Sequence, residues 1–126
     1  MEVVSRKMVL TGGVITVVIA LLFVFSAAMK LAGLAAVKEG MAPLGLPESM
    51  ILPLGILELG CTVIYLIPAT SVLGAVLLTG YLGGAMCTHW RVGEPFWLHI
   101  LLGLVIWLGI YLREPRLKAL LPLRKS

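Results

Sequence analysis

Polar residues divide this chain into four apolar runs: Met8 to Met29, Met50 to Ile67, Ser71 to Cys87 and Phe96 to Leu112. Each is roughly long enough to cross a ~30 Å hydrocarbon layer as a helix. Helices of a soluble bundle need a polar outer face. These runs are apolar all round, which suits lipid. The pattern predicts an all-α, integral membrane four-helix bundle. It forms a single domain over residues 1–126, with helices at about 8–29, 50–67, 71–87 and 96–112.

The connecting segments sharpen this picture. An Ala-rich stretch after helix one predicts a short interfacial helix, stopped by Gly40 and Pro43. Pro47 and Glu48 mark the start of helix two, and Pro53 predicts a kink near that end. Pro68-Ala69-Thr70 is so short that helices two and three must be antiparallel neighbours. In helix three, Gly80 and Gly84 form a small-xxx-small pair beside Gly83, which predicts close approach of another backbone.

Composition agrees with a membrane location. The chain is 60% hydrophobic and 13% charged, about half the charged fraction usual for a soluble domain, and its mean hydropathy is +1.09. Arg6 and Lys7 followed by an apolar stretch, with Ser26-Ala27-Ala28 beyond, resemble a signal peptide. The stretch exceeds a typical signal core of ~7–15 residues and is read as a retained span.

The net charge of +4 does not indicate nucleic acid, because seven of the ten basic residues cluster at the two ends. Arg6, Lys7, Arg113, Arg116, Lys118, Arg124 and Lys125 all lie beyond the outermost helices. Four crossings put both termini on one side, and the basic excess assigns that side to the cytoplasm. The tail is expected to rest on anionic headgroups. A periplasmic reporter fused after Arg124 should therefore be inactive, and an active one would overturn the orientation.

Within the spans, Glu58 stands out, near the middle of helix two, where an ionised carboxylate is costly. It is either protonated or paired with a donor or cation from another helix. Gly55, Cys61, Thr62 and Tyr65 share its helical face, which should point into the bundle. Tyr81 and Thr79 in helix three are the expected partners of Glu58, Tyr81 as hydrogen-bond donor or in proton transfer. Lys30 either snorkels to the surface or turns inward to offset the Glu58 charge.

His89, Arg91 and Glu94 cluster at the mouth between helices three and four, and His99 lies one turn inside helix four. The two histidines can meet across the hairpin, but their spacing is not a recognised metal pattern, and no metal site is expected. Cys61 is placed mid-helix and Cys87 near the surface, too far apart for a disulfide.

Taken in order, FSAAMKLAG, PLGILELGC, TGYLGGAMCTHWRVGEP and WLGIYLREPRLKALLPLR resemble the DoxX-like family of small bacterial membrane proteins. The resemblance covers nearly the whole chain. It picks out Lys30, Glu58, the glycine-rich third helix with His89 and Arg91, and Arg113-Glu114-Pro115, whereas His99 has no counterpart in the pattern. The family name derives from a subunit of a thiosulfate:quinone oxidoreductase, and relatives are linked to membrane redox and stress responses.

That resemblance implies an inner-membrane accessory component of membrane redox chemistry that handles a lipophilic small molecule such as a quinone. Glu58, Tyr81 and Lys30 would carry the chemistry, and His89, Arg91, Tyr65 and Thr79 would contribute to binding. The partners implied are the lipid bilayer and a redox partner protein or further copies of the chain. An acid–base enzyme acting on an apolar substrate, a small oligomeric transporter and a stabilising accessory protein remain open.

Overall fold

The computed structural model describes residues 5–124, which leaves Lys125 of the basic tail outside the described residues. Helix α1 (Arg6–Leu31) starts at Ser5, whose hydroxyl accepts from the Met8 amide at 3.2 Å. This is an ordinary N-cap that satisfies a free helix-end donor. The expected interfacial helix is α2 (Ala35–Met41), followed by 3₁₀ turns at Ala42–Leu44 and Glu48–Met50. The second of these runs straight into α3 (Ile51–Leu66), so Pro53 falls near the start of the helix.

A 3₁₀ turn at Pro68–Thr70 reverses the chain into α4 (Ser71–Arg91), and α5 (Trp97–Tyr111) returns it. Helix α4 extends one turn beyond the expected 71–87, so His89 and Arg91 sit on helix and not in a loop. Short α6 (Pro115–Lys118) is capped by Glu114, which also accepts from the Arg116 side chain at 2.9 Å. That hydrogen bond holds the Glu114 carboxyl below its usual range.

Among the described residues every element is helical. α1, α3 and α4, the latter two with their leading 3₁₀ turns, are long and apolar enough to cross a membrane, and α5 is a shorter apolar helix. Their outward leucines, valines and Phe25 are exposed all round the bundle, as lipid contact requires and water would not favour. Trp90 and Trp97 are exposed at the end away from the termini, where an interfacial aromatic belt would lie.

The helices form a closed ring in which α1 meets α3, α3 meets α4, α4 meets α5 and α5 meets α1. Packing is tightest in the half nearest the termini. Tyr65, Thr62, Leu78, Ile106 and Ile110 are all fully buried there. A Cβ at Gly12 would lie 2.6 Å from the Gly109 carbonyl, and one at Gly109 would lie 2.7 Å from Thr16 Oγ1. A Cβ at Gly74 would run into the Tyr65 backbone. Glycine is required at these crossings because the backbones already touch.

The far half is different. Helix α4 has no buried residue beyond Leu82, and α5 has none before Ile106. Meanwhile α1 and α3 stay in contact, Gly55 lying 3.0 Å (from its would-be Cβ) from Lys30 Cβ. The α4–α5 hairpin therefore parts from the α1–α3 pair and leaves a space between them. Within the chain the small-xxx-small pair makes no helix contact: Gly80, Gly83 and Gly84 have no neighbour within 4 Å of a would-be Cβ. Helix contact within the chain is made by Gly12, Gly55, Gly74 and Gly109.

Candidate functional site

That space is a cavity of about 630 Å³, walled mainly by leucine, methionine and phenylalanine. Its polar lining comes from Ser26 and Lys30 of α1, Glu58 of α3, Tyr81, Thr88 and His89 of α4, and His99 of α5. Leu44, Leu46 and Met50 from the connecting segment border it at the far end.

Its centre is an ion pair. Lys30 Nζ lies 3.0 Å from Glu58 Oε1 and donates also to Ser26 Oγ at 2.8 Å. Glu58 is 3% exposed and the Lys30 side chain 11%. The local sequence builds this arrangement. Ser26 and Lys30 are four residues apart and so stack on one face of α1. Gly55, one turn before Glu58, lets α3 close on Lys30 and Leu31. Lys30 thus turns inward and does not snorkel, and Glu58 is paired. Two of the three Nζ donors are occupied and Lys30 takes one of the carboxylate's acceptor positions, so both partners retain capacity toward a ligand.

Tyr81 lines the same cavity as Glu58. At the mouth, the His89 and His99 rings stack at 4.6 Å with a 44° tilt. His89 Nδ1 is 2.7 Å from the Ala85 carbonyl, and Nε2 is 3.9 Å from Glu94 Oε2. His99 therefore belongs to the cavity although no motif marked it. Ser26 was also missed, and the signal for it was a lone hydroxyl four residues ahead of the only lysine in helix one's exit.

Three expected site residues lie elsewhere. Thr79 does not pair with Glu58. It donates to the Ala75 carbonyl at 2.7 Å and accepts from Trp107 Nε1 at 2.8 Å, on the side of α4 toward α5. Tyr65 is fully buried below the cavity and donates to the Ile106 carbonyl at 2.8 Å, which occupies its hydroxyl in packing. Arg91 donates to the Leu44 carbonyl and so ties the end of α4 to the segment over the cavity. Thr79 was placed by depth along its helix alone, and rotation about the helix axis turns it toward α5; Tyr65 does point into the bundle, as its helical face predicted.

Cys61 is buried and Cys87 exposed, both as free thiols. Among the described residues no group of three or more His, Cys, Asp or Glu side chains is arranged to hold a metal ion.

No curated relative and no solved structure matches the chain. The model of the DoxX-like family matches residues 14–112, a span that runs from α1 through α5 and contains every polar residue of the cavity. The chain belongs to the DoxX-like family.

Proposed function

We propose that this small membrane protein binds a lipophilic molecule with a compact hydrogen-bonding head, of the quinone class, as an accessory to membrane redox chemistry. The observation that supports this most is the Lys30–Glu58 pair set in an apolar cavity. Burying two charges is costly, and a well-packed apolar pair would often serve stability equally well. A ligand head that accepts from Lys30 and donates to Glu58, or bonds to Tyr81, gives the pair a use. Apolar walls with a few convergent polar groups are the usual make-up of a small-molecule site. Electrons for any change at the ring are assigned to a partner protein. The basic termini favour a cytoplasmic position for both ends in the bacterial inner membrane.

Tyr81 in the same cavity as Glu58 supports a second reading, acid–base catalysis on an apolar substrate, with Glu58 as base and Tyr81 or Lys30 as acid.

Binding is checked by titrating decylubiquinone into the protein in nanodiscs and following tryptophan quenching. The wild type should saturate, and Glu58→Gln should bind at least roughly tenfold more weakly, a loss of about 1.4 kcal/mol. Equal affinity in both proteins would remove Glu58 from the site.

A further inference from the structure

We propose that the cavity is loaded sideways from the bilayer, through a window between α3 and α4 whose edge is Gly80 and Gly84. The ligand is then a membrane-dissolved molecule whose head reaches Glu58 while its chain lies in the window. This rests on the reading that the cavity binds a lipophilic molecule and specifies how that molecule enters and what shape it has.

Four observations converge on this gap. Gly80 and Gly84 are one turn apart, both line the cavity, and a Cβ at either would meet nothing within 4 Å. They lie on the flank of α4 away from Leu82, which packs toward Gly103 of α5, so they face the α3 side. Leu57 lines the cavity yet is 52% exposed, so the cavity wall there reaches the lipid-facing surface. Leu57 is on the flank of α3 away from Gly55, which packs on α1, and therefore faces α4.

The hinge of the gap is also defined. At the end near the termini, α3 and α4 are locked together by Gly74 against Tyr65 and by the turn Pro68–Thr70. Beyond that joint, Gly80 and Gly84 meet nothing within 4 Å of a would-be Cβ. On the opposite side of the bundle the cavity edge carries Leu22 and Leu98, as exposed as Leu57, so what distinguishes the α3–α4 edge is that glycine leaves its α4 side without side chains. Glu58 follows Leu57 directly, so a molecule entering at this edge meets the ion pair at once. A free aqueous route would have to pass the loop segment that Arg91 holds in place.

The open space at the glycines makes the test clean. Gly80→Leu/Gly84→Leu should fold, since leucine favours helix over glycine and no neighbour is displaced. Gly83→Leu is the matched control, because Gly83 is equally open but does not line the cavity. Melting temperatures establish that all three proteins are folded. Two probes are titrated in nanodiscs: decylubiquinone and the same head without a chain, 2,3-dimethoxy-5-methyl-1,4-benzoquinone.

The double variant should bind decylubiquinone roughly tenfold or more weakly than wild type while its affinity for the chainless head stays unchanged. Gly83→Leu should match wild type on both probes. Wild-type affinity for decylubiquinone in the double variant overturns the window, as does equal loss of both probes, which would mean the leucines fill the head site. A wild type that binds neither probe overturns the underlying reading and the window with it.

Discussion

Replacing Lys30 with methionine is expected to destabilise the protein by roughly 3–5 kcal/mol, the range for a buried ion pair that loses one partner. Glu58 is 3% exposed and sits mid-helix, so its carboxylate loses its paired cation in a largely apolar setting once the ammonium is gone. The reciprocal change should be far milder. In Glu58→Gln the lysine keeps Ser26 as a partner, and its long apolar stem can carry the charge toward the interface. The double variant Lys30→Met/Glu58→Gln should recover most of the loss, because no unpaired charge remains. Thermal unfolding of the four proteins in one detergent measures the cycle. Equal damage from both single changes would mean that Lys30 is as firmly enclosed as Glu58.

A second large effect is expected at Gly74. Gly74→Val should cost more than ~3 kcal/mol and strongly reduce the yield of folded protein, exceeding the usual penalty for overpacking. The added atoms would meet the Tyr65 backbone, which cannot swing aside as a side-chain tip can. Tyr65 is itself held by its bond to the Ile106 carbonyl, so displacing it also opens a buried hydrogen bond. Gly60→Ala is the control. Nothing lies within 4 Å of its added Cβ, and it should be neutral or stabilising by up to about 1 kcal/mol. Size-exclusion profiles and melting temperatures separate the two outcomes. Equal tolerance of both would contradict the close α3–α4 joint from which the window opens.

Much of this architecture was legible in the sequence because lipid imposes a simple rule on the chain. A span must be helical and apolar, so the breaks at Lys30, Pro47, Pro68-Ala69-Thr70 and Glu94-Pro95 marked out four helices. Glu58 was legible for the converse reason: a carboxylate within a span needs a partner. The choice of partner was not legible. Lys30 can reach inward or outward with equal ease, and only the approach of α3 over Gly55 decides between them.

The rotation of α4 was also hidden. Its glycines occur on several sides of the helix, so sequence spacing alone suggested Gly80 and Gly84 for helix contact. The structure uses Gly74 for contact and leaves Gly80 and Gly84 facing the cavity. Thr79 was misplaced for the same reason, since one residue along a helix is a turn of about 100°. The meeting of His89 and His99 across the hairpin was legible, but the cavity that both line was not, because it exists only once α4 and α5 fold against the other helices.

The most direct test of the central claim is mass spectrometry of lipophilic molecules that co-purify with the wild-type protein and with Glu58→Gln, both confirmed as folded. A chain-bearing molecule with a polar ring head, enriched in the wild type and lost from the variant, is the predicted result. Identical extracts from the two folded proteins, with no compound above the lipid background, would contradict a ligand site at the Lys30–Glu58 pair.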